Sequence, residues 1–70
     1  MRVLVTGGSG LVGNYVALAL TAAHEVGNYD LAKTQTPSVE YIRGNILDEG
    51  PLLEVLPGYD AVVHCAAVVA

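Results

Sequence analysis

Thr6, Gly7, Gly10 and Gly13, with Gly8 among them, are the residues of this 70-residue chain whose types and spacing could do chemistry. They follow the apolar, β-branched run Val3-Leu4-Val5 and precede a long apolar segment without a breaker, which places them in a strand-to-helix turn. The glycines satisfy both G-x-G-x-x-G (Gly8, Gly10, Gly13) and T-G-x-x-G-x-x-G (Thr6, Gly7, Gly10, Gly13). In such a turn one glycine permits a sharp change of direction and another lets a ligand approach bare backbone. The last lets the helix pack closely on the strand. The ligand that suits it is a pyrophosphate, met by helix N–H groups with the positive end of the helix dipole behind them. Glycine-rich strings are also common in purely structural turns, so the reading depends on what lies around this one. Asp30 stands twenty positions after Gly10 and closes the run Val26-Gly27-Asn28-Tyr29. A carboxylate at the end of a second strand can accept hydrogen bonds from the 2′- and 3′-hydroxyls of an adenosine ribose. The bland alternative for Asp30 is a solvated strand end. A carboxylate there repels a 2′-phosphate, which favours NAD over NADP, and Lys33 tempers that preference.

The elements that must position these residues follow from pattern. A first strand runs from about Arg2 to Thr6 and a first helix from about Leu11 to Ala23; Val16-Ala17-Leu18-Ala19-Leu20 is apolar all round, so the helix is either covered outside or a liability. The second strand, Glu25 to Asp30, contains Gly27 as a weak point. After the polar connection Leu31 to Ser38, Val39-Glu40-Tyr41-Ile42-Arg43 alternates as a third strand ended by Gly44. A short helix starts at Glu49 or Pro51 and ends at Leu56, with Asp48 suited to cap it and Pro57-Gly58 to stop it. Asp60 to Ala67 reads as a fourth strand buried on both faces. Alternating strands and helices with right-handed crossovers give an α/β fold with a parallel sheet in the order 3-2-1-4. Its switch point lies above the glycine turn, between the carboxyl ends of strands one and four.

Composition narrows the function classes. At this length there is one small domain, residues 1–70, burying about 60% of its unfolded surface. A hydrophobic fraction of 53% against 14% charged resembles the inside of a larger protein. The net charge of −4 with no basic cluster argues against a nucleic-acid or anionic membrane partner. Cys65 is the lone cysteine, so no intrachain disulfide can form and a reducing, cytoplasmic location is expected. His24, His64 and Cys65 lack the number and spacing of a zinc site. An amino-terminal signal peptide is rejected because glycines, Ser9 and Asn14 interrupt its apolar core. The unbroken apolar stretch Tyr15 to Leu20 is far short of the ~20 residues of a membrane span.

The chain resembles the amino-terminal part of the extended short-chain dehydrogenase/reductases, the NAD-dependent epimerase/dehydratase group. Four motifs carry the resemblance across nearly the whole length: Val3 to Gly13; His24-Glu25-Val26 with Asp30; Arg43-Gly44-Asn45-Ile46-Leu47-Asp48; and Tyr59 to Ala67. The resemblance implies a partial Rossmann fold with Gly7, Gly10 and Gly13 at the pyrophosphate and Ser9, Leu11 and Val12 nearby. It also implies Asp30 on the adenosine ribose, Asn45 and Ile46 by the adenine edge, and Cys65, Ala66 and Ala67 toward the nicotinamide ribose. The chain departs from the pattern in two places. Asn45 stands where the family usually has aspartate, and Ala23 where its first helix commonly ends in glycine.

Residues 1–70 hold none of the family's later catalytic serine or threonine, nor its helical Tyr-x-x-x-Lys pair. Tyr29 and Lys33 match that spacing, yet straddle a strand end and are read as incidental. His64 is expected to be a packed strand residue, and Cys65 a small buried hydrophobe. The leading expectation is an NAD-binding segment inactive alone, its parent acting in redox chemistry or epimerisation on a hydroxyl substrate. The alternatives are a non-catalytic cofactor sensor, or an interaction module that self-associates through the fourth-strand edge or the apolar first helix.

Overall fold

The computed structural model describes residues 1–33 and 36–66. In chain order the elements are β1 (Arg2–Thr6), α1 (Leu11–Leu20), β2 (Glu25–Asp30), β3 (Val39–Arg43), α2 (Glu49–Val55) and β4 (Ala61–His64), with a 3₁₀ turn at Leu56–Gly58. The strands form one parallel sheet in the order β3-β2-β1-β4, as the alternation requires. Thr6 lies between Tyr29 and His64 in the register, and Asp30 lies beside Arg43.

The α1 face holds the core: Val5, Ala17 and Val26, against which Val16, Leu20, Val39, Val63 and Cys65 pack. On the opposite face Leu4 and Tyr29 are fully buried. Gly27, expected to weaken β2, has a packing role there, since a Cβ at this position would overlap the Tyr59 hydroxyl. The ring that fills the gap also carries Arg2, whose guanidinium carbon lies 4.8 Å from its centroid.

Three expectations are corrected. First, α1 stops at Leu20. Thr21 Oγ1 donates to the Leu18 carbonyl at 2.6 Å, and Ala22 and Ala23 bond three residues back, so the last turn tightens to 3₁₀ geometry. Second, Asp48 sits at the start of α2 in extended conformation but makes no capping bond. Asn45 organises that turn, its Oδ1 accepting from Leu47 N and its carbonyl from Asp48 N, both at 2.9 Å. Third, β4 is half-open: Ala61 and Val63 are partly buried, while Val62 is 47% exposed and His64 is exposed too. The cover that buries Leu4 on that face does not extend over its neighbour Val62, so the apolar run does not make a strand buried on both sides.

Arg2 also ties the amino edge together. Its amide donates to Asp60 Oδ2 at 2.7 Å and its guanidinium pairs with Glu25 at 3.4 Å and Glu40 at 3.8 Å. Burial, and then the Glu40 charge, push the Tyr59 hydroxyl above its ordinary 10.0. The fold therefore favours the neutral phenol. This stability is whole below the unfolded tyrosine value and is lost as pH rises through the folded one. Urea stability should fall more steeply between about pH 9 and about pH 11 in the wild type than in Tyr59→Phe. Equal slopes would show that Tyr59 does not carry the effect.

Candidate functional site

The glycine turn is held from four sides. Gly7 N donates to the Tyr29 carbonyl at 3.0 Å, Gly8 N to Asn28 Oδ1 at 2.8 Å, Ser9 N to Asp30 Oδ2 at 3.0 Å, and Gly10 N to the Gly7 carbonyl at 3.1 Å. Its own amides are thus engaged, and the free donors are the next three. The N–H groups of Leu11, Val12 and Gly13 open α1 and meet no acceptor among the described residues. An anion at this corner is received by the helix terminus, with the dipole behind it.

Each glycine has its own reason. Gly7 has φ +74°, and a Cβ there would come within 2.7 Å of the Ala66 backbone. Gly13 lies directly on the Gly7 carbonyl, with no room for a methyl group. Gly10 differs. Its backbone is extended, and the nearest obstacle to a Cβ is the Gly7 carbonyl oxygen at 3.4 Å, so its bare side faces open space.

Asp30 stands at the rim with both oxygens oriented by backbone, Oδ2 by Ser9 N and Oδ1 by Ala32 N at 3.1 Å. Across the turn, Cys65 N donates to the Thr6 carbonyl at 2.9 Å, which draws the end of β4 in beside Gly7. The result is a depression of about 220 Å³ lined by Gly7, Gly10, Asp30, Cys65 and Ala66. Ser9, Gly10, Leu11 and Asn14 line an adjoining hollow of about 360 Å³, where the Leu11 side chain is 80% exposed. Val12 is exposed as well.

Not every candidate joins them. Asn45 and Ile46 follow β3, where Gly44 N bonds the Asp30 carbonyl at 3.1 Å, but they do not line the depression. Ala67 lies outside the described residues. Tyr29 is buried under Gly44 and Lys33 is exposed, and neither lines the depression. His64, expected to be packed, is exposed and shares a 2.6 Å hydrogen bond with Thr6 Oγ1 through Nδ1. Two other clefts, about 240 and 440 Å³, lie at the opposite, amino edge, where Arg2 is paired with Glu25 and Glu40. Among the described residues no group of three or more His, Cys, Asp or Glu could hold a metal ion, and no helix is long and apolar enough to cross a membrane.

Sequence reasoning missed Asn28. It is fully buried, accepts from Gly8 N, and donates from Nδ2 to Ser9 Oγ at 2.8 Å; Ser9 Oγ in turn donates to the Ala32 carbonyl at 2.6 Å. The available signal was a polar amide in the interior of a strand, two places before the carboxylate and so on its face.

Residues 3–70 match the NAD dependent epimerase/dehydratase family. The chain belongs to that family. It is 38% identical, over a 72-residue alignment, to a 3 beta-hydroxysteroid dehydrogenase/Delta 5→4-isomerase of Mycobacterium tuberculosis, covering 97% of this chain and 20% of that protein. Among solved structures, a short-chain dehydrogenase/reductase superfamily protein from Agrobacterium tumefaciens with bound NAD superposes with TM-score 0.86 and 34% identity, over 100% of this chain and 21% of that one. The Bordetella bronchiseptica enzyme WbmH in complex with NAD⁺ gives 0.80 and 27%, over 97% and 26%. The chain therefore has the Rossmann arrangement, matches the NAD-binding region of its relatives, and spans about a fifth of the length of the curated ones.

Proposed function

We propose that residues 1–70 are the amino-terminal NAD-binding segment of a larger dehydrogenase, epimerase or dehydratase, without turnover of its own. The observation that carries this is the single depression joining Gly7, Gly10, Asp30, Cys65 and Ala66 beside three unpaired helix N–H groups. The residues fit a dinucleotide: bare backbone at Gly10 and the Leu11 and Val12 amides for the diphosphate, and the Asp30 carboxylate for the adenosine ribose. Cys65 and Ala66 are assigned to the nicotinamide end, with Ala67 joining them on the family resemblance alone, and Asn45 and Ile46 are assigned to the adenine side. Bound there, the nicotinamide supplies a reversible hydride acceptor. A carboxylate fixed by two backbone N–H groups favours NAD over NADP. The parent's substrate would carry a hydroxyl to be oxidised, in keeping with the hydroxysteroid dehydrogenase named among the relatives, and a cytoplasmic location suits the lone thiol.

The test is thermal. NAD at about a hundred times its Kd adds about 2.7 kcal/mol to the folded state, which in a domain of this size raises Tm by roughly 10–20 °C. A folded sample whose Tm does not move at millimolar NAD would remove the cofactor reading.

A second reading, self-association, has its own observation. The outer edge of β4 pairs with nothing among the described residues, and Leu11, Val12, Tyr15 and Leu18 expose an uncharged helix surface. Sedimentation over a range of concentrations should show a dimer or larger species. A concentration-independent monomer would discard this reading.

A further inference from the structure

Asn28 is a fully buried polar side chain that the proposed site leaves unused. In register it lies between Val5 and Tyr41, where a side chain of similar size without polar atoms would fill the α1-side core. Buried hydrogen bonds add only about 1 kcal/mol net each, so stability alone gives little reason for an amide. What it does provide is direction. Its Oδ1 holds Gly8 N at 2.8 Å, and its Nδ2 orients Ser9 Oγ, also at 2.8 Å, toward the Ala32 carbonyl. Gly8 accommodates this, because a Cβ there would come within 2.7 Å of the Asn28 amide carbon. Gly8 and Ser9 are the two residues between the positive-φ corner at Gly7 and the open backbone at Gly10.

We propose that Asn28 is a positioning residue for the diphosphate: it pins Gly8 and Ser9 so that Gly10 and the Leu11 and Val12 amides present one fixed cradle. The inference rests on the dinucleotide reading above. Asp30 retains a second anchor, Ala32 N, so the ribose grip does not depend on Asn28 to the same extent.

The experiment titrates the whole chain with ADP-ribose and with adenosine, by calorimetry and NMR, in wild type, Asn28→Leu and Asn28→Asp, with foldedness checked by circular dichroism. In folded Asn28→Leu the ADP-ribose Kd should rise at least tenfold while that of adenosine changes less than twofold. Asn28→Asp keeps the acceptor for Gly8 N but loses the donor to Ser9 when ionised. Protonation restores an amide-like pairing, so its ADP-ribose affinity should recover as pH falls from about 8 to about 5.5 while that of wild type stays flat. The ionisable groups nearest position 28 are Asp30 on the same strand and Tyr41 on β3; α1 adds only the exposed Tyr15, and the turn and the facing part of β1 contribute none.

Folded Asn28→Leu binding ADP-ribose as tightly as wild type overturns the inference and leaves the dinucleotide reading standing. Equal losses for both ligands, the mark of a purely structural residue, also overturn it. If Asn28→Leu does not fold, a pH-independent loss in Asn28→Asp overturns it instead. A folded wild type that binds neither NAD nor ADP-ribose removes the underlying reading and the inference together.

Discussion

Gly10→Ala is expected to leave the fold intact and to weaken dinucleotide binding by about two decades, whereas Gly13→Ala should damage the fold itself. At position 10 the backbone has φ −78° and ψ 174°, which alanine adopts freely, and a methyl group meets only the Gly7 carbonyl oxygen at 3.4 Å. Two small stability terms oppose each other there. Alanine restricts the unfolded chain, worth about 0.4–1 kcal/mol, and is a poorer helix cap than glycine by a comparable amount. The net change in urea stability should stay within about 0.5 kcal/mol. The same methyl occupies the open side where a diphosphate must approach. Losing two hydrogen bonds to a charged group at about 1.5 kcal/mol each gives about 3 kcal/mol, or roughly a hundredfold in Kd.

At position 13 the methyl group would be driven into the Gly7 carbonyl, which is backbone and cannot swing aside. Helix propensity favours alanine by about 1 kcal/mol, so the clash must exceed that to show. Overpacking of this kind costs about 1–3 kcal/mol even among side chains. The helix would have to lift off the turn, and stability would fall. Urea melts and ADP-ribose titrations of both variants decide. A Gly10→Ala chain that binds normally, or a Gly13→Ala chain more stable than wild type, would show that the turn does not work this way.

How far the sequence disclosed this arrangement depended on period and punctuation. β1, β2 and β3 were legible to the residue because each apolar or alternating run ends at a glycine, an acidic residue or a polar connection. The crossover order followed from alternation alone. β4 was over-read, since an apolar run cannot say whether a neighbour covers it, and Val62 and His64 turned out exposed. The end of α1 was over-read for a different reason: Thr21 diverts a carbonyl through its own hydroxyl, a local competition that hydrophobic periodicity does not register. Within the site, the glycine spacing gave positions but not a division of labour. Gly7 turns, Gly13 packs and Gly10 stays open only once Ala66 and α1 are in place. Asn28 escaped notice because its partners are backbone and hydroxyl groups about twenty residues away, which no local pattern brings together.

Asp30→Ala should reverse the preference between the two nicotinamide dinucleotides more than it harms the fold. The carboxylate is only partly buried, so Ser9 N and Ala32 N, which it now holds, can turn to water when it is removed. For the ligand the loss is larger. The ribose diol gives up one or two hydrogen bonds to a charged acceptor, about 1.5 kcal/mol each for a rim open to water, so the Kd for NAD should rise between about tenfold and a hundredfold. NADP never had that grip, and a 2′-phosphate beside a carboxylate is repelled. Removing the charge lifts the repulsion and leaves Lys33 and Arg43, both exposed, the latter opposite Asp30 in the register, as the nearby positive groups. NADP affinity should hold steady or improve, and the ratio of the two dissociation constants should move at least tenfold toward NADP. The shift should also shrink as salt is raised, because part of it is a charge effect at an exposed rim. Parallel titrations with NAD, NADP and ADP-ribose at two ionic strengths measure it. A ratio that stays put while both affinities fall would mean that Asp30 braces the turn rather than selects the ribose, and the choice of cofactor would then have to be made elsewhere in the protein.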